Sequence, residues 1–219
     1  MVQKDMLWSN HYNKISRKAY MALNLIKRIL PPHASTYLKR QLYLSLVRSH
    51  LTYCSQLWRP RLIKDIEALE RIQRRATKYI TGNNQIDYKS RLLSLHLMPL
   101  MRWLELQDVT FIVKCLQQPT ANPEIASLVS FLSSNTRAGQ TGNKLKVKLN
   151  KTTSSRHFYT SRIVRLWNAF PVGVIDLTKS FVTIKKRVRD HLIQNFLQNF
   201  DPQNTCTFHF VCPCSKCLA

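Results

Sequence analysis

A chain of 219 residues with 44% apolar content is long enough to bury a core, as one large or two small units, and does not have a disordered composition. Its 34 lysines and arginines against 11 aspartates and glutamates leave a net charge of +23, spread as 18 basic and 5 acidic groups over residues 1–100 and 16 and 6 beyond. A charge this large opposes compaction, and a polyanion relieves it because each phosphate contact also releases counterions; acidic lipid is more often met by one basic amphipathic segment.

No apolar run approaches the length of a membrane span, and the opening MVQKDMLWSNHYNK has no apolar core of a signal peptide. An intracellular, nuclear or cytoplasmic setting follows as the expectation. The six cysteines are then expected as thiols or metal ligands, not disulfides.

Taken in order, residues 9–30 have helical spacing, with Ile15, Ala19, Ala22, Leu23, Ile26 and Leu30 inward and Ser9 or Asn10 as the cap. Pro31-Pro32 ends this helix. Ser35 can cap a second helix carrying Leu38, Leu42, Leu46, Val47, Leu51, Cys54 and Trp58, closed by Pro60. The strongest helix follows. Leu62, Ile66, Leu69, Ile72, Ala76, Tyr79 and Ile80 make one apolar stripe, and Lys64, Arg71, Arg74, Arg75 and Lys78 lie opposite. Gly82 stands where such a helix stops. Glu67 and Glu70 precede Arg71 and Arg74 by four residues. Those pairs would support the helix by roughly 0.3–0.5 kcal/mol each, a structural reason for the two arginines. Arg75 and Lys78 have no acid in the same relation.

A short helix is expected from Tyr88 to Leu95, and another from Pro99 to about Leu116 with Leu100, Trp103, Leu104, Phe111 and Val113 buried. A further short one runs through Ile125, Leu128 and Phe131. Residues 133–155 then hold two of the four glycines, no aromatic and one charge sign, the composition of a basic linker. The alternation from Lys144 to Leu149 admits a short edge strand or hairpin there, against a solvated loop. His157 opens a helix with Phe158, Tyr159, Ile163, Leu166, Trp167 and Phe170, ending at Pro171. A last helix, about 179–199, turns Phe181, Ile184, Val188, Leu192 and Phe196 inward and Lys185, Lys186, Arg187 and Arg189 outward. The expected fold is all-α: a two-lobed helical bundle with 1–132 as a first domain, 133–155 as linker, 156–200 as a C-terminal helical region and 201–219 as a Cys-rich tail.

The ordered set Leu51-x-Tyr53-Cys54-Ser55-x-x-Trp58-x-Pro60, then Leu69-Glu70-x-Ile72-Gln73-Arg74-Arg75-Ala76-Thr77-Lys78, Tyr88-x-x-Arg91-Leu92 and Trp167-Asn168-x-Phe170-Pro171 resembles the region beyond the polymerase core in reverse transcriptases of non-long-terminal-repeat (LINE-type, Jockey-like) retrotransposons. Trp8-x-x-His11 resembles that family where palm passes into thumb. The resemblance covers nearly the whole chain. Trp103 stands where a second arginine is common, and Phe170-Pro171 where Leu-Pro is usual. It implies thumb-like helices and a basic C-terminal region that hold template–primer duplex or element RNA, working with the remainder of an RNA-directed DNA polymerase. The polymerase's paired metal-binding aspartates are missing, and no two acidic residues are adjacent, so no polymerase activity is expected from the chain alone. Two other readings stand beside this one: an independent basic RNA- or DNA-binding protein, and the product of a decayed element.

The candidate phosphate contacts are therefore Lys64, Arg71, Arg74, Arg75 and Lys78 on the central helix, Lys144, Lys146, Lys148 and Lys151 in the linker, and Lys185, Lys186, Arg187 and Arg189 on the last helix. Lys185 to Arg189 also reads as a nuclear import signal. Cys206, Cys212, Cys214 and Cys217, with His209 among them, could supply a zinc site that folds a tail with no core of its own, or stay free thiols at a frayed end. Cys54 and Cys115 fall on apolar faces as small core residues. Trp58, Trp103 and Trp167 could stack on bases but sit on core stripes, and none of His50, His96, His157 or His191 has a paired nucleophile.

Overall fold

The computed structural model describes residues 8–121, 123–132, 144–147, 155, 157–212 and 217. Among them the regular structure is helical, with no strand or sheet and one isolated antiparallel bridge between Phe131 and Leu145. The all-α class expected from the periodicity holds. Two compact units form, residues 1–101 with 200–208, and residues 102–199 with 209–219. The basic stretch expected to separate two lobes lies largely outside the described residues.

In the first unit, α1 (Ser9–Ile29) buries Tyr12, Ile15, Ala19, Leu23 and Ile26. Ala22 and Leu30 are only half-buried. Neither Ser9 nor Asn10 caps this helix: the cap position is Trp8, and no side chain bonds there. At the next helix the expected cap is present, for Ser35 Oγ accepts from the Leu38 amide at 3.2 Å. That helix is not the single rod expected. It runs as α2 (Thr36–Leu42), a π-helical segment (Tyr43–Arg48), α3 (Ser49–Thr52) and α4 (Ser55–Trp58).

The wider π turn takes one more residue and rotates the inward face. Tyr43, Val47, Leu51 and Trp58 become core, while Leu38 and Leu46 are exposed and Leu42 half-buried. Cys54 is exposed too, at φ 52°, in the turn before α4, so its expected core role is corrected. The same turn lets Trp58 Nε1 donate to the Tyr53 carbonyl at 2.8 Å, and Tyr12 donates its hydroxyl to the Trp58 carbonyl at 2.8 Å. Trp58 thereby belongs to a core cluster with His11 and Tyr12 rather than to a base-stacking surface.

α5 (Ile63–Thr81) buries Ile66, Leu69, Ile72, Ala76 and Ile80, and stops at Gly82, whose φ of 66° suits a residue without Cβ. Leu62 precedes the helix and is exposed, and Tyr79 is half-buried. Asp87 caps α6 (Tyr88–Ser94), accepting from the Ser90 amide at 3.0 Å.

α7 (Leu100–Gln117) crosses the division between the units, which falls after Met101. In the second unit it buries Leu104, Leu106, Val109, Ile112, Val113 and Cys115, with Trp103 and Phe111 half-buried rather than inward. α8 (Pro123–Ser127), α9 (Tyr159–Ala169) and α10 (Phe181–Asn199) follow, with a 3-10 turn at Thr205–Phe208 in the first unit. Leu128, Phe131 and Phe158 are exposed, whereas Ile163, Leu166, Trp167 and Phe170 are core. On α10, Ile184, Val188, Leu192 and Phe196 turn inward as their spacing requires, and Phe181 is half-buried. The Asn168 side chain holds Leu145 from both sides, accepting from its amide at 2.8 Å and donating to its carbonyl at 2.9 Å.

Candidate nucleic-acid interface

The side of α5 away from its apolar stripe presents Lys64, Arg71, Arg75 and Lys78, all exposed. None of the four makes an ion pair among the described residues. The Arg75 guanidinium lies over the Tyr20 ring at 5.2 Å, and the residue is exposed. Arg74 does not belong with them. It is half-buried between the Tyr88 and Phe208 rings, at 4.8 and 5.4 Å, and donates to the Pro202 carbonyl at 2.8 Å. Its expected outward position is corrected, because two aromatic faces and a carbonyl already hold the cation.

The helix-supporting role expected of Glu70 is corrected as well. Glu70 is buried at 1% exposure, where it accepts from the Leu100 amide at 2.9 Å, from Gln73 Nε2 at 3.3 Å and from the Tyr88 hydroxyl. Gln73 in turn accepts from the Tyr43 hydroxyl at 2.8 Å and donates to the Met98 carbonyl at 2.9 Å. Burial pushes the Glu70 carboxyl up to about 7, against the pull of those donors and of Arg74 and Arg48. Burial also pushes the Tyr43 and Tyr88 hydroxyls up. The pattern was readable: Glu70, Gln73 and Thr77 recur at three- and four-residue steps beside the apolar stripe, and all three are buried. The cleft beside them, lined by Glu67, Glu70, Arg71, Arg74 and Phe208, holds as many carboxylates as guanidiniums and so makes no anion site.

In the second unit, Lys185, Lys186, Arg187 and Arg189 are exposed on one side of α10, with Val188 between them turned inward. Arg187 donates to the Gly173 carbonyl at 3.1 Å, and Arg189 meets Asp190 at 3.5 Å, both at the surface. The linker residues divide. Lys144 donates to the carbonyls of Asn168 at 2.6 Å and Phe170 at 3.3 Å, so it closes the end of α9 instead of facing phosphate. Lys146 is exposed. Lys148 and Lys151 lie outside the described residues.

Four further charged residues, Arg102, Glu105, Asp108 and Arg162, are buried in this unit. Asp108 receives Arg162 Nε at 2.9 Å, with Tyr159 donating to the Asp108 carbonyl at 2.8 Å. Arg102 donates to Asn195 Oδ1 at 2.6 Å and to the Leu192 carbonyl at 3.3 Å. Glu105 accepts the amides of Phe210 at 2.7 Å and Val211 at 3.1 Å, and faces His209 Nδ1 at 3.7 Å. Arg102, Glu105 and Asp108 stand three apart along α7, so they line one side of the helix. Sequence reading attended to the apolar residues of this helix and missed that stripe.

In the tail, Cys206, Cys212 and Cys217 are a group that could hold a metal ion. Cys214 is outside the described residues. His209 turns to Glu105 and is not one of the three. No described helix is long and apolar enough to cross a membrane.

No protein-family model, curated protein or solved structure matches this chain.

Proposed function

We propose that this chain is the thumb and post-thumb region of a LINE-type reverse transcriptase, and that it holds template–primer duplex or element RNA without itself polymerising. The observation that supports the binding reading best is the cationic side of α5. Arg71, Arg75 and Lys78 are all exposed, and the acid nearest in sequence to Arg75, Glu70, is drawn into the core. Lys185, Lys186, Arg187 and Arg189 on α10 add a second set of exposed cations. Binding of this kind reads phosphate spacing, not base identity, and weakens steeply with salt.

The proposal that the chain does not itself polymerise rests on chemistry. Two-metal nucleotide addition needs clustered carboxylates open to the metal and substrate. Glu70, Glu105 and Asp108 are buried and already accept hydrogen bonds from amides, Tyr88 or Arg162. In the tail, Cys206, Cys212 and Cys217 would bind zinc as thiolates, and Cys214 offers a further thiol in the sequence between them.

The test is a salt titration of the purified chain against an RNA–DNA heteroduplex of about two helical turns. The expected result is a linear fall of log affinity with log salt and little dependence on sequence. A flat titration would remove the proposal. A primer-extension assay with Mg²⁺ or Mn²⁺ on the same preparation should show no product.

A further inference from the structure

We infer that the outer side of α1 is a docking surface for an acidic amphipathic helix of a partner protein. Met21, Leu25 and Ile29 follow one another at four-residue steps, so their side chains form one ridge. They are 54%, 45% and 68% exposed, although α1 has a complete inward face of its own in Tyr12, Ile15, Ala19, Leu23 and Ile26. The ridge is therefore a second apolar surface on a helix that needs one.

The charge on the same side limits what can cover it. Lys14 and Lys18 continue the ridge toward the N-terminus, Arg28 flanks its far end, and α1 contains no acidic residue. From Lys14 to Ile29 the surface runs about 22 Å, the length of four helical turns. A second copy of this chain would bring cation against cation. A duplex would satisfy Lys14 and Lys18 but leave the three apolar side chains in water. An anionic bilayer prefers apolar residues along the whole length of a helix with cations on its flanks. On this side of α1 only Met21, Leu25 and Ile29 are apolar, the N-terminal half of the ridge is Lys14 and Lys18, and there is no aromatic anchor. An acidic helix with leucine-like residues at one end matches both halves.

The side chains that connect α1 to α5 lie elsewhere on the helix. Tyr20 and Lys27 face Arg75 and Tyr79, at 5.2 and 5.5 Å. They stand roughly a third of a turn or more from the ridge, so the two surfaces can be altered separately.

The probe is a labelled 18-residue peptide with leucines at helical spacing on one face and glutamates elsewhere, titrated with the full chain. Saturable binding is expected. The triple variant Met21→Ser, Leu25→Ser, Ile29→Ser should weaken it at least about tenfold, which is about 1.4 kcal/mol. Lys14→Glu with Lys18→Glu should weaken it too and flatten its salt dependence. The triple variant should melt as the parent does and bind the heteroduplex unchanged, so loss of duplex binding by the parent would count against the proposed function and leave this inference standing. The inference is overturned if the peptide does not bind or if the triple variant binds it like the parent. Binding of phosphatidylserine vesicles that depends on the same three residues, while the peptide fails to compete, would assign the surface to lipid instead.

Discussion

α5 and α10 are both 19 residues long, both basic and both amphipathic, yet their cations meet different fates. On α10 the run from Lys185 to Arg189 is interrupted by Val188 alone, and the four cations are exposed. On α5 the cations are scattered over 15 positions, and their angular positions differ. Lys64, Arg71, Arg75 and Lys78 are exposed, while Arg74 is enclosed by Tyr88, Phe208 and the Pro202 carbonyl. Charge in the sequence is therefore an incomplete guide to charge at the surface. What decides is how far each position stands from the apolar stripe, and whether aromatic rings from another segment reach it.

The comparison is broken most severely by removing an ion pair that the fold has enclosed. Asp108→Ala removes the carboxylate that the buried Arg162 pairs with and should cost about 3–5 kcal/mol, read by denaturant unfolding. Leu69→Ala, in the centre of the α5 stripe at full burial, should cost about 2–5 kcal/mol. Neither loss should occur when an exposed α10 cation such as Lys186 is changed to alanine.

Glu70 gives the contrast a pH dependence. A carboxyl raised from its ordinary 4.5 to about 7 keeps its proton longer in the folded chain than in the unfolded one. Folding then takes up a proton in that window, so the stability it contributes is greatest below about pH 4.5 and is lost as the pH rises to about 7. The difference between the ends is at most about 3 kcal/mol. Glu70→Gln should flatten this slope in urea unfolding measured from pH 4.5 to 7.5. A slope unchanged in the variant would assign it to other groups.

Arg74 tests the smaller end of the scale. Arg74→Ala removes two ring contacts and one hydrogen bond and should lower stability by about 1–2 kcal/mol. Its effect on the salt dependence of duplex binding should be well below one phosphate contact.

Much of this was legible beforehand. The stripes on α1, α5 and α10 follow from spacing, and so does the stop at Gly82, because an apolar period and a left-handed cap are local properties. Three features resisted. The π turn at Tyr43–Arg48 depends on Tyr43 reaching Gln73, 30 positions away, so local periodicity gave Leu38 and Leu46 an inward place they do not have. The enclosure of Arg74 depends on Phe208, which sits far along the chain. The buried carboxylates Glu105 and Asp108 have distant partners, the Phe210 amide and Arg162, which local spacing does not announce. Of the candidate contacts, Lys144 was misjudged for a related reason: the carbonyls it meets belong to the end of α9.

The central claim is that exposed cations on α5 contact phosphate while the rest of the helix builds the core. The double variant Arg75→Ala with Lys78→Ala tests it most directly. Both positions are exposed, and alanine is at least as good a helix former, so unfolding free energy should change by less than about 1 kcal/mol, the Tyr20 contact included. Heteroduplex affinity should fall, and the slope of log affinity against log salt should become shallower by nearly two contacts. A variant that melts like the parent and binds with the parent's affinity and slope would contradict the account, and would move the binding surface to Lys185–Arg189 or away from nucleic acid altogether.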